Sequence, residues 1–269
     1  MSEEVILAFL FTLFAGLATG IGSVLAFFTK TTNTKFLSFA LGFSAGVMIY
    51  VSMIEIFVKA QDALIGDLGK VAGSWLTVSS FFGGILVIAL IDRFVPKQSN
   101  PHELKKVEDM KDSSKAIHNP DLLKMGTFTA LAIGIHNFPE GIATFTATLQ
   151  NPEVGFAIAV AIAIHNIPEG IAVSVPIYYA TNDKKKAFKL SFLSGLSEPV
   201  GAVLAFLILM PFLNDVMFGV IFAGVAGIMV FISLDELLPA AKKYDEAHTS
   251  IYGLVGGMAL MAVSLLLFI

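Results

Sequence analysis

The chain contains no cysteine. That absence removes disulfide frameworks, thiolate zinc sites, iron–sulfur clusters and cysteine nucleophiles together, so any metal it handles is held by nitrogen and oxygen. Charge is also scarce, at 14% of the 269 residues, where a soluble domain carries about 25%. A net charge of −4 and a single tryptophan leave no basic surface for nucleic acid. What remains is apolar, with 56% hydrophobic residues and a mean hydropathy of +0.81. A water-soluble core of ordinary dimensions cannot hide that excess, so the chain reads as an all-α polytopic protein with membrane lipid as its solvent. Met1-Ser2-Glu3-Glu4 runs straight into Val5-Ile6-Leu7, without the basic region or cleavage site of a secretory signal, and this segment is expected to be kept as a span.

Apolar stretches of the roughly 20 residues needed to cross a bilayer fall at about 5–28, 36–58, 71–95, 125–149, 153–180, 187–211, 214–241 and 250–269. Eight transmembrane helices in a single domain over 1–269 are expected. Loops one, three, five and seven hold 15 of the 17 Lys and Arg residues, leaving Lys59 and Lys70 for the others. By the positive-inside rule the odd loops are cytoplasmic and both termini lie outside. Loop three, about 93–124, is the one long polar segment and reads as a cytoplasmic linker. Its His102 and His118 read as solvated side chains, with metal collection the alternative.

Two internal repeats stand out. Ala45-Gly46-Val47-Met48-Ile49-Tyr50-Val51-Ser52-Met53-Ile54-Glu55 in span two aligns without gaps on Ala226-Gly227-Ile228-Met229-Val230-Phe231-Ile232-Ser233-Leu234-Asp235-Glu236 in span seven. These spans cross in opposite directions, so an inverted repeat of helices 1–3 and 6–8 around a central pair (3+2+3) is expected, as in many secondary transporters. Glu55 and Glu236 are then counterparts near opposite mouths. The competing explanation is shared small-residue composition.

The second repeat carries the chemistry. His136-Asn137-Phe138-Pro139-Glu140-Gly141 in span four recurs as His165-Asn166-Ile167-Pro168-Glu169-Gly170 in span five, and both histidines lie near mid-span. Ser194-Gly195-Leu196-Ser197-Glu198-Pro199 puts a third carboxylate at similar depth in span six. Three charged, unpaired carboxylates there would cost very roughly 8–10 kcal/mol on the insertion scale. No Lys or Arg lies at matching depth, so a proton or a bound cation compensates them. At 100° per residue Glu140 lies between His136 and Asn137, which lets it share one ion with His136 and bridge to a second served by Asn137; the span-five copy repeats this. Imidazole with carboxylate suits zinc and other first-row divalent ions. Pro139 and Pro168 are expected to break the helices and expose backbone oxygen, with Gly141 and Gly170 loosening the next turn. For Glu198 taken alone, the lesser alternative is a protonated acid bonded to Ser194.

In these segments the sequence resembles the ZIP family of divalent-metal transporters, most closely its bacterial zinc-uptake branch, over the whole chain. The resemblance implies uptake of Zn²⁺, with Fe²⁺, Mn²⁺ or Cd²⁺ as further substrates, across the cytoplasmic (inner) membrane, with a variable third loop and no prosthetic group. It implies a binuclear centre: His136, Glu140, His165 and Glu169 as the zinc-preferring site, Asn137, Asn166, Glu169 and Glu198 as its neighbour. Met48 falls where span two of the family can add a ligand, and Asp235-Glu236 stands where some members have His-Glu. A homodimer is the assembly implied. The chain also lacks a nucleotide-binding P-loop. The competing reading is an intramembrane zinc hydrolase, against which stand the tandem amide-bearing motifs and the missing His-Glu-x-x-His.

Overall fold

A computed structural model describes residues 2–28, 34–94, 120–209, 214–243 and 248–266. Among these residues the regular structure is wholly helical and forms eight rods. They are α1 (Glu3–Phe28), α2 (34–68), α3 (Lys70–Phe94), α4 (Pro120–Gln150), α5 (Pro152–Thr181), α6 (184–209), α7 (215–243) and α8 (Thr249–Leu266). Seven of them are long and apolar enough to cross a membrane, all but α4, which is continuous over 31 residues. His102, His118 and most of the third loop lie outside the described residues.

Local chemistry sets the turns. Between α4 and α5 the chain has one non-helical residue, Asn151, whose side chain accepts from the N–H groups of Glu153 and Val154, with Pro152 starting the next helix. This satisfies two amides that a helix N-terminus leaves without partners, and proline loses nothing at that position. α5 closes on Asn182 at φ 52°, a left-handed residue of the kind asparagine tolerates, and Asp183 caps the start of α6 through Lys185 and Lys186.

α2 and α7 each contain a π-helical turn, at Val51–Ile56 and Ser233–Leu237. These are the ends of the two segments that align in the first repeat. A further π turn, Ala205–Leu209, follows in α6.

Glycines decide which rods touch. A Cβ on Gly42 or Gly46 of α2 would strike the carbonyls of Ser250 or Leu254 on α8, and one on Gly227 of α7 would strike Phe81 on α3. Gly22 of α1 meets the Ile167 carbonyl on α5, and Gly201 of α6 meets that of Phe138 on α4. In lipid, where burial does not drive helices together, such backbone-to-backbone approach replaces it. α1, α4, α5 and α6 thereby form one group, α2, α3, α7 and α8 the other, and α2–α5 and α4–α7 contacts make the seam.

Candidate metal centre

α4 and α5 form an antiparallel hairpin about Asn151. His136 lies fifteen residues before that turn and His165 fourteen after it. At about 1.5 Å per residue both histidines stand about 21–23 Å from the turn, so the matched depth follows from the spacing. Glu140 is then a turn nearer Asn151 and Glu169 a turn farther from it.

The resulting contacts run between helices. His136 Nε2 lies 2.8 Å from Glu169 Oε1, and His165 Nε2 lies 3.3 Å from Glu140 Oε2, outside hydrogen-bonding geometry. His165 Nε2 is also 3.9 Å from Glu169 Oε1, so one carboxylate oxygen faces both imidazoles. The direct contacts thus pair each histidine with the carboxylate of the other helix. A carboxylate one turn along reaches the opposite helix across the hairpin more directly than it reaches back along its own.

A second cluster adjoins this one. Asn166 Nδ2 donates to the Ala15 carbonyl at 2.9 Å and to Glu198 Oε1, and Asn137 Nδ2 makes a long contact of 3.5 Å to the Ser194 carbonyl. Both amides thus turn their nitrogens to protein, leaving Asn137 Oδ1 and Asn166 Oδ1, together with Glu198 Oε2 and Glu140 Oε1, without hydrogen-bond partners among the described residues. All seven motif residues are at most 2% exposed. Buried oxygen acceptors without donors are costly and are complementary to a cation. Ser194 does not bond Glu198; its hydroxyl donates to the Ser191 carbonyl at 2.7 Å.

The expected breaks at Pro139 and Pro168 are not present, since α4 and α5 continue as helix through both prolines. The interruption falls in α6 instead, at Leu196. Pro199 cannot donate to the Gly195 carbonyl four residues back, and it sits comfortably in the first turn of the restarted helix beside Glu198. Gly141 and Gly170 also do something other than loosen a turn. Gly141 lies against the Glu198 backbone and Gly170 against the Thr19 carbonyl, drawing α6 and α1 onto the motif helices.

Of the outlying candidates, Glu236 belongs with the centre: its Oε2 lies 3.9 Å from His136 Nδ1, closer than a stepping-stone at the mouth. Asp235 is exposed on the other face of α7, as a neighbour 100° round a helix must be. Met48 is fully buried in the apolar cluster with Ile158 and Ile162. Glu55 pairs with Lys59, at 2.9 Å.

Two small cavities open from His136. One, about 20 Å³, is walled by Leu41, Ile133, Glu169, Ala172, Leu237 and Ala240; the other, about 10 Å³, includes Asp92, Ile135 and Glu236. The first has room for one water-sized body. Asp92 was missed by sequence reasoning, although an acid followed by Arg93 at the end of an apolar run was a visible signal. Among the described residues no three His, Asp or Glu side chains stand ready to grip one ion.

The sequence profile of the family described as ZIP zinc transporter matches residues 95–265. The chain belongs to the ZIP family. Over 98% of its length it is 74% identical to the zinc transporter ZupT of Oceanobacillus iheyensis, covering 99% of that protein. It is 71% identical to the zinc transporter ZupT of Lysinibacillus sphaericus, with both chains covered in full. The ZupT of Clostridium perfringens is 59% identical over 99% of this chain and 98% of its own. As a ZIP protein of the ZupT branch the chain is a multi-pass membrane transporter and not an enzyme, which removes the hydrolase reading.

Proposed function

We propose that this chain carries Zn²⁺, and with less discrimination Fe²⁺, Mn²⁺ and Cd²⁺, into the cytoplasm through a binuclear centre on α4, α5 and α6. The observation that carries this reading is the reciprocal His–Glu pairing, two imidazoles and two carboxylates converging at the depth of both midpoints. Zinc bonds of about 2.1 Å to N and O make tetrahedron edges of about 3.4 Å. The His165–Glu140 separation of 3.3 Å already matches such an edge, and its poor hydrogen-bond direction suits two ligands of one ion better than a donor and acceptor. The His136–Glu169 contact of 2.8 Å would open by about 0.6 Å to admit the metal.

The neighbouring ion would take Asn137 Oδ1, Asn166 Oδ1, Glu198 and the bridging Glu169. Amide and carboxylate oxygens make a hard, permissive set, which supports transport of more than one metal. Glu236 and Asp92 follow along the cavities and would receive the ion on leaving His136. Outside the His–Glu cluster, the walls of the larger cavity lie on its odd-loop side: Leu41, Ile133, Ala172, Leu237 and Ala240 all lead towards loops one, three, five and seven. With the Lys-rich odd loops cytoplasmic, the path drains inward and both termini lie outside.

An inverted repeat of α1–α3 and α6–α8 fits the same picture. α2 and α7 carry their π turns at aligned positions and lock onto α8 and α3 through the aligned Gly46 and Gly227. The test is Zn²⁺ influx into sealed proteoliposomes with a trapped indicator, beside empty vesicles and the Glu169→Ala protein. Influx should require the protein and vanish in the variant; equal influx in both would remove the proposed bridge.

A further inference from the structure

One face of α2 is accounted for by the glycine contacts of Gly42 and Gly46 with α8. On the opposite face, at 100° per residue, Leu41, Ser44, Met48 and Ser52 fall within about 80° of one another. Leu41 walls the cavity beside His136 and Glu169, so this row is turned towards the metal centre. Ser52 is fully buried, and its hydroxyl has no hydrogen-bond partner among the described residues. A serine in a helix ordinarily satisfies itself on the carbonyl four residues back, as Ser233, its counterpart in α7, does on Met229 at 2.7 Å.

Glu55 follows one turn beyond Ser52 within the π turn, and its Oε1 holds the ammonium of Lys59 at 2.9 Å, the two side chains being 16% and 34% exposed. Glu236, aligned with Glu55 in the repeat, has no such lysine four residues on: Ala240 stands there, and Glu236 reaches into the centre instead. At the even-loop end of α2, therefore, a lysine ammonium is seated on the Glu55 carboxylate.

We propose that Glu55 and the Ser52 hydroxyl form an outer receiving site for a divalent cation, and that Lys59 is the competing cation that sets how readily the site fills. The proposal rests on the transport reading above, with the even-loop end of α2 outside. As a partly exposed i,i+4 pair, Glu55–Lys59 contributes little to stability, and its effect is on occupancy. An arriving metal has to displace the ammonium from Glu55 before it moves past Ser52 and Met48 towards His165. Lys59 is thus a positioning residue acting through Glu55.

The experiment is the initial rate of Zn²⁺ uptake against concentration in intact cells, which present one face to the medium. Lys59→Gln should lower KM about two- to fivefold, the worth of an i,i+4 ion pair still in reach of solvent, with a smaller change in maximal rate. Glu55→Gln and Ser52→Ala should raise KM, and Glu55→Gln/Lys59→Gln should behave as Glu55→Gln, because Lys59 has no other route to the metal. An unchanged KM in Lys59→Gln, or a double variant whose KM falls like that of Lys59→Gln, overturns the proposal. Should Lys59→Gln fail to reach the membrane, Lys59→Arg decides: its fork grips a carboxylate at least as well, so its KM should equal or exceed the parent value, and a lower one overturns the proposal. Absence of uptake by the unaltered chain would instead sink the transport reading.

Discussion

Nε2 of His136 stands 2.8 Å from Oε1 of Glu169, on the neighbouring antiparallel helix. Motif spacing about Asn151 makes this contact and its mirror, His165 with Glu140, unavoidable once the hairpin forms. The energetic coupling in the centre should therefore run across helices. In metal-binding titrations, a double-mutant cycle of His136→Ala with Glu169→Ala should show about 1–3 kcal/mol of coupling. The cycle of His136→Ala with Glu140→Ala should show less; the reverse ranking would contradict the geometry.

The oxygen-rich neighbour of that site makes a selectivity prediction. Replacing Asn137 or Asn166 by Ala removes a neutral hard ligand and leaves both imidazoles in place. Uptake of Mn²⁺, which favours oxygen ligands, should fall further than uptake of Zn²⁺, and competition assays with the two ions would register it. Equal losses for both metals would mean that the amides serve only to hold α1 and α6.

Asp92 offers a kinetic prediction. It lines the cavity beyond His136 with Glu236, on the side where the proposed inward path leaves the centre. Asp92→Asn should lower the maximal rate of zinc transport while leaving KM within about twofold, since release is slowed and loading is not. A raised KM at full rate would place Asp92 on the loading side.

Adjacent glycines supply a packing control. A Cβ on Gly83 meets nothing within 4 Å, while one on Gly84 runs into the backbone of Gly224 on α7. Gly83→Ala should be neutral or stabilising by up to about 1 kcal/mol through helix propensity. Gly84→Ala should destabilise by about 1–3 kcal/mol. Melting of the two purified variants in one detergent reads the difference directly.

Much of this was legible in the sequence because lipid simplifies the problem. A helix in hydrocarbon has to satisfy its own backbone, so apolar run length places the rods, and each of the eight expected runs falls on one of them in the described residues, the sixth with its interruption at Leu196. Burying Glu140, Glu169 and Glu198 with no basic partner likewise pointed to a cation before any coordinates. What the wheel of a single helix could not supply was partner choice: His136 meets Glu169 because of the hairpin, a relation between helices. The prolines misled for a related reason. Pro139 and Pro168 cost one hydrogen bond each, which a helix packed on both sides by α1 and α6 withstands, whereas Pro199 follows Gly195 and there the helix does part. Asp235 and Glu236 looked alike as acids, and only their angular positions separate them.

The π turns of α2 and α7 have a consequence for movement. Each accommodates one more residue than an α-helical turn would, and such a surplus can migrate along a helix by exchanging hydrogen bonds one at a time, with the number made unchanged. Sliding it past Glu55 or Glu236 would swing that carboxylate about the helix axis by up to a residue's step, about 100°. Glu55 and Glu236 thus sit on swivels that turn without the helix having to unwind.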